Sequence, residues 1–236
     1  MMKQNAVESP SLPATKQEIP GSRTLLRWVP SVFFVVAAVL LVVSIRYPYW
    51  GMHLSAPQYE YRGGLDLHLF VNVMTGEDPK FDEMREINGL NHYIGMRSLD
   101  EAALVERAIA IPAIAVFAIF LGIVALWRRR WIWVLAIPAL TFPFVFLADL
   151  AYWLNDFGQN LDPAAPFSSS IPPFTPPLLG AGSIGQFESE AFIDLGWLLA
   201  FVAAVIVAVG LLMRYFEFRQ EKKLQEQVQG EATANA

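Results

Sequence analysis

Three histidines and four methionines fall between Met52 and Met96: Met52, His53, His68, Met74, Met84, His92 and Met96. The chain has no cysteine, so soft-metal chemistry on it must use thioether and imidazole, a combination that suits Cu(I). In the heptapeptide LNHYIGM, residues 90–96, His92 and Met96 stand four apart, a spacing that places two side chains on one face of a helix. Two ligands are too few to hold Cu(I), so others must converge from separate segments. Met52, His53 and Met74 are the nearest supplements. The expected metal set is therefore His92, Met96, Met52, His53 and Met74, with Cu(I) as the candidate cofactor and His68 the histidine least suited to join. The alternative is structural: methionine fills gaps in small cores, and each histidine satisfies a backbone group. Residue types alone leave both readings open.

A second constellation is ionic. Asp149 and Asp194 interrupt apolar runs, while Arg46 and Arg107 end two others at a comparable level. A carboxylate inside an apolar segment is costly unless paired, so a structural charge cluster of Arg46, Arg107, Asp149 and Asp194 is the economical expectation. A transport path lined by Asp149 and Asp194 is the competing one, although few other polar residues lie at mid-segment. No catalytic residues are assigned. The phosphate-binding loop, the dinucleotide glycine pattern, the nucleophile elbow, the zinc-protease helix motif and the EF-hand spacing are all missing. A two-histidine membrane haem is excluded because no histidine lies in an apolar run.

The elements that must position these residues are mostly membrane helices. The chain of 236 residues is 55% hydrophobic, with a mean hydropathy of +0.39. Four apolar runs, at about 29–45, 108–127, 131–154 and 191–213, approach the roughly 20 residues a helix needs to cross a bilayer core. The first run follows 27 mostly polar residues and lacks a small-x-small cleavage site, so it reads as a span and not a signal peptide. Eleven of the 17 basic residues lie before the first run, between the second and third, or after the fourth. By the positive-inside rule these segments are cytoplasmic. Both termini are then inside, and the outer loops are 46–107 and 155–190. Ten carboxylates between Glu60 and Glu106 make the first outer loop acidic, which argues against a nucleic-acid surface. Trp28, Trp127, Trp131 and Trp133 mark the inner interface; Tyr47, Tyr49, Trp50, Tyr152 and Trp153 mark the outer one. The tails, residues 1–27 and 220–236, are polar and expected to be disordered beyond a few helical turns.

The first outer loop has its own elements. Leu65, Leu67, Leu69, Val71 and Val73 alternate strictly with the residues between them, which predicts a strand over 65–74 with one face buried. Gly63-Gly64 can turn the chain back onto residues 50–59 as a hairpin, with Met52 and Met74 opposite each other. Asp78 and Pro79 predict the start of a short helix with Phe81, Met84 and Ile87 as its apolar stripe. SLDE, Ser98 to Glu101, reads as a capping box that starts the second long helix near Leu99. The second outer loop has six prolines and four glycines, which predict an irregular cover without a long helix or central strand. The fold class is thus an all-α membrane protein: four transmembrane helices, residues 28–219 with their loops, and a small α+β extracytoplasmic cap.

PYWGMHLSAPQY, EINGLNHYIGM and NLDPAAPF with PFTPPLLGAGSIGQF resemble a family of NosB-type four-helix membrane proteins from nitrous-oxide-reductase gene clusters. The resemblance covers both outer loops, roughly 47–97 and 155–190. It implies a context, the assembly or electron supply of a copper enzyme, and no mechanism. The expected role is a non-enzymatic accessory protein of the cytoplasmic membrane. It contacts lipid and binds copper or a periplasmic or membrane protein partner through its outer loops. A small transporter subunit and a structural anchor of a redox complex are the alternatives.

Overall fold

The computed structural model describes residues 28–184 and 186–234; the N-terminal tail discussed above lies outside them. Five α-helices are present among these residues: α1 Val29–Ser44, α2 Glu83–Ile94, α3 Leu104–Leu126, α4 Ile137–Gln159 and α5 Leu195–Ala234. Five strands form one antiparallel sheet: β1 Trp50–Ser55, β2 Leu65–Leu69, β3 Met74–Thr75, β4 Gly180–Ile184 and β5 Phe187–Ile193, in the order β3-β2-β1-β5-β4.

Among the described residues three helical segments, Leu104–Leu126, Arg130–Gln159 and Leu195–Gln227, are long and apolar enough to cross a membrane. The sequence predicts four spans, at about 29–45, 108–127, 131–154 and 191–213. The first apolar helix, α1, has 16 residues, about 24 Å at helical rise, short of the roughly 30 Å hydrocarbon core. Its last turn breaks where SIRYPYW must leave the helix to enter β1. The C-terminal helix is longer than expected. α5 runs to Ala234 because RYFEFRQEKKLQEQ carries no helix breaker.

The helices pack around α1, which lies against α5 and α3. Ala37 and Leu41 of α1 meet Ala200, Ala203 and Val207 of α5, all nearly inaccessible. Small side chains here let two backbones approach closely, the usual way helices pack in lipid. α3 and α4 touch each other far less. The end of the bundle away from the sheet is fastened by Arg214, 1% exposed. Its guanidinium donates to the carbonyls of Val124, Ala125 and Trp127 and to Ser31 Oγ, and lies 4.8 Å from the Phe34 ring centroid. The unpaired carbonyls at the C-terminus of α3 thus receive a cation, which the helix dipole favours there. From sequence, Arg214 was only one more basic residue inside.

The sheet continues the helix pair upward. β1 follows α1, β5 precedes α5, and β1 pairs with β5 just as α1 packs on α5. At the junction Tyr49, fully buried, donates its amide to Leu69 O, accepts the Asp194 amide at its carbonyl, and shares a 2.6 Å hydrogen bond with Ser44 Oγ. Burial pushes its phenol up to about 12. Gly196 donates to Pro48 O, and a Cβ there would stand 2.4 Å from Tyr47 O. Tyr49 and Trp50, read as interfacial anchors, are therefore core.

Trp50, Leu65, Leu67 and Leu69 on the inner face of the sheet pack with Ile87 of α2 and Leu150 of α4. The expected hairpin is present, with Gly63 at φ +86° after a 3-10 turn, Pro57–Arg62. The strand predicted over 65–74 stops at Leu69, because Phe70 N donates to Val73 O and closes a tight turn into β3. β5 is an interior strand where an irregular cover was expected. Phe187, Ser189, Ala191 and Ile193 alternate with Glu188, Glu190 and Phe192, a stretch that the apolar-run boundaries divide between loop and span. The capping box is also corrected: Ser98 accepts from Asp100 N and caps only a 3-10 turn, Leu99–Glu101. α3 begins after Ala103, which turns the chain at φ 51°.

Candidate functional site

LNHYIGM does not form one helical face. α2 begins at Glu83, capped by Asp82, whose carboxylate accepts from Arg85 N; Asp78, the cap expected from sequence, instead accepts from Lys80 N in the preceding turn. The helix runs through His92 to Ile94 and ends at Gly95, φ +87°. Met96 N then donates back to Asn91 O, the reversal that glycine past a helix end permits. His92 is left exposed on the last turn, while Met96 turns inward.

The strip instead anchors the second outer loop. Asp162 N donates to Gly95 O at 2.8 Å, and Phe167 N donates to Tyr93 O at 3.0 Å. Tyr93 and Phe167 meet ring to ring at 6.2 Å. Arg97 pairs with Asp156 of α4 and lies over the Phe157 ring. Further along the same loop, Phe174 N donates to Gly158 O, and Trp50 Nε1 donates to Leu178 O. The two outer loops are thereby one body.

The five expected copper ligands are divided among three places. Met52 and Met74 lie on the inner face of the sheet, paired in register with Leu67 and Leu69 and not with each other. With Met96 they line a cavity under the cap. His53 lies on the opposite face, where its Nδ1 is 2.7 Å from Asp66 Oδ1, and His92 is exposed on α2. Alternation along β1 forces Met52 and His53 apart, since neighbours on a strand point to opposite faces. Among the described residues no group of three His, Asp or Glu side chains is placed to hold a metal ion. Thioethers share a cavity here, and imidazoles do not join them.

The expected charge cluster is also dispersed. Arg107 donates, at 3.3–3.4 Å, to the carbonyls of Asn72, Asp100 and Ala102. Asp194 accepts from Leu195 N at the start of α5, and its other oxygen lies 3.5 Å from His68 Nδ1. Asp149 lines the cavity, and Arg46 is exposed, with no ion pair joining any two of the four. Asp149 lines the cavity that Asp194 does not line.

Two features were missed from sequence. One is the outward face of the sheet, where β1, β2 and β5 present His53, Asp66, Glu188, Glu190 and Phe192. Glu188, Glu190 and Phe192 are exposed. His53 stands between Asp66 and Glu190 in the strand register. The signal was present in FESEAFI, whose alternation is as strict as that of LDLHL. The other is a cavity of about 380 Å³ between the sheet, α2, α3 and α4. It extends from Met52 down to Phe117 and Phe142, and no periodicity could reveal it. At the cap's opposite edge, the buried Glu83 carboxylate accepts from the amides of Asp66, Glu77 and Asp78. Tyr59 donates to Glu86 at 2.6 Å, and burial together with that carboxylate pushes its phenol up to about 12.

No family model matches the chain. A stretch of 75 residues is 33% identical to protein crumbs homolog 3 of Canis lupus familiaris. It covers 32% of this chain, and the chain spans 58% of that relative's length.

Proposed function

We propose that this chain is a non-enzymatic accessory protein of the cytoplasmic membrane whose cap docks a protein partner on the extracytoplasmic side. In this reading α1 is a fourth, short span, both termini are cytoplasmic, and the sheet stands upright above the bilayer. The observation that carries the proposal is the outward sheet face. A rigid, two-loop cap, fastened to the helices at Tyr49 and Gly196, exposes Glu188, Glu190 and the Phe192 ring without covering them. An acidic face with an exposed aromatic ring suits a partner with a basic surface, through steering by charge and anchoring by the ring. The resemblance to the NosB-type proteins supplies the setting, assembly or electron supply of a copper enzyme.

The test is site-specific photo-crosslinking in intact cells from position 190, with position 39 on the exposed side of α1 as a lipid-facing control. The proposal expects a discrete extracytoplasmic protein captured from 190 and not from 39, and lost in a Glu188→Lys variant. Capture of cytoplasmic proteins, or equal capture from both positions, would overturn it. Copper on the chain itself is a second reading, favoured by Met52, Met74 and Met96 lining one cavity. It expects Cu(I) retention against a competing chelator that falls on replacing any of these methionines by leucine and is unchanged in His53→Ala and His92→Ala. No retention by the unaltered protein would end that reading and leave the docking face intact.

A further inference from the structure

The cavity under the cap has the build of a ligand site, and its two ends differ in chemistry. Its volume, about 380 Å³, lies within the range of small-molecule sites. The deep end lies between α3 and α4 and is lined by Ala113, Phe117, Phe142 and Val145. α3 and α4 barely touch, and two lining residues, Ile109 and Val145, are exposed on the outside of the bundle. The cavity therefore reaches the flank of α3 and α4, the side that lipid covers in the membrane placement proposed above. From Arg107 to Phe117 it follows α3 for about 15 Å, at about 1.5 Å per residue.

The upper end carries the polar groups: Glu106, Arg107 and Asp149 line it together with Trp153. The indole N–H of Trp153 is buried, and its interaction with the Asp149 carboxylate one turn back on α4 falls outside standard hydrogen-bond geometry. A buried donor whose one acceptor is poorly placed gains from a better-placed one, and here it lines a cavity. Trp50, Phe146, Trp153 and Phe157 surround this end with aromatic faces. Two carboxylates beside one arginine make it unfavourable for an anionic head such as a phosphate or a free fatty acid.

We infer that the cavity binds a membrane-soluble amphiphile of the quinone class: one apolar tail and an uncharged ring whose carbonyl oxygen accepts from Trp153 Nε1. The tail enters between Ile109 and Val145 and lies along Phe117 and Phe142. The ring sits among the aromatic side chains below the sheet. The inference is independent of partner docking, since it uses the opposite face of the sheet.

The test uses the full chain in phosphatidylcholine nanodiscs with two photoreactive probes, a benzoquinone with a diazirine in its decyl tail and a phosphatidylcholine with a diazirine in one acyl chain. The quinone probe is expected to label the peptides containing Phe117 and Phe142, and unlabelled decyl-quinone to displace it. Val145→Trp, a change at an exposed position that closes the mouth, is expected to abolish that labelling while leaving the fold intact by circular dichroism. Trp153→Phe, which keeps the ring and removes the donor, is expected to raise the half-displacing concentration about tenfold. Labelling only by the phosphatidylcholine probe, labelling spread equally over the α1 face at Val36 and Val39, or unchanged affinity in Trp153→Phe would each overturn the inference.

Discussion

Two glycines on the same helix give the sharpest test of how the cap is held, because alanine at each should act with opposite sign. Gly95 ends α2 at φ +87°, and a Cβ added there would stand 2.8 Å from Asp162 O. Alanine at a left-handed position costs about 1–2 kcal/mol. The clash with a backbone oxygen that cannot rotate away adds to that, while the smaller freedom of alanine in the unfolded chain returns about 0.4–1 kcal/mol. The net expectation for Gly95→Ala is a loss of about 1–2 kcal/mol, expressed as detachment of the second loop. Gly89 lies inside α2, with nothing within 4 Å of an added Cβ. Gly89→Ala should stabilise by about 0.5–1 kcal/mol from helix propensity alone. Hydrogen exchange at the Asp162 and Phe167 amides, which bond Gly95 and Tyr93, reads the loop directly, and thermal unfolding reads the whole. Faster exchange at both amides in Gly95→Ala, with slower or unchanged exchange in Gly89→Ala, is expected. The same sign for both variants would refute the assignment of Gly95 as the clasp between the two outer loops.

Other expectations follow from the same geometry. Glu83→Gln keeps the shape of the side chain but removes the charge that three amides point at, and should cost about 1–3 kcal/mol in chemical denaturation. Arg214→Met should orphan buried carbonyls at the end of α3 at about 1–3 kcal/mol each, seen as reduced yield and a lower unfolding temperature in detergent. Tyr49 and Tyr59 both have phenols raised in the folded state, from 10.0 to about 12. The folded protein therefore holds these protons more tightly, so their contribution is complete below about pH 10 and is lost as pH rises toward 12. Denaturation midpoints measured from pH 8 to 12 should fall across that window, and less steeply in Tyr59→Phe.

The helices were legible because long apolar runs have few alternatives. Their ends were not, because a side chain such as Arg214 or a buried Tyr49 decides them through contacts distant in sequence. β2 was visible from Leu65, Leu67 and Leu69. β5 has the same alternation but sits beside the apolar start of α5, so Ala191, Phe192 and Ile193 merge in sequence with the helical run. The copper reading paired His92 with Met96 by helical spacing, and Gly95 between them undoes that spacing. Met52-His53 shows the same limit on a strand, where adjacency in sequence means opposite faces. The cavity depends on how loosely α3 meets α4, a tertiary property that neither run discloses.

The chain contains no cysteine, so a single introduced thiol reports its own side of the membrane. Glu190→Cys on the outward sheet face and Arg219→Cys on α5 should therefore be compared by labelling with a membrane-impermeant maleimide. The account predicts that position 190 is labelled in intact cells, more slowly than in the purified protein because a partner covers it, and that position 219 is labelled only after permeabilisation. Labelling of 219 from outside, with 190 protected until the cells are opened, would contradict the placement of the cap and with it the proposed docking role.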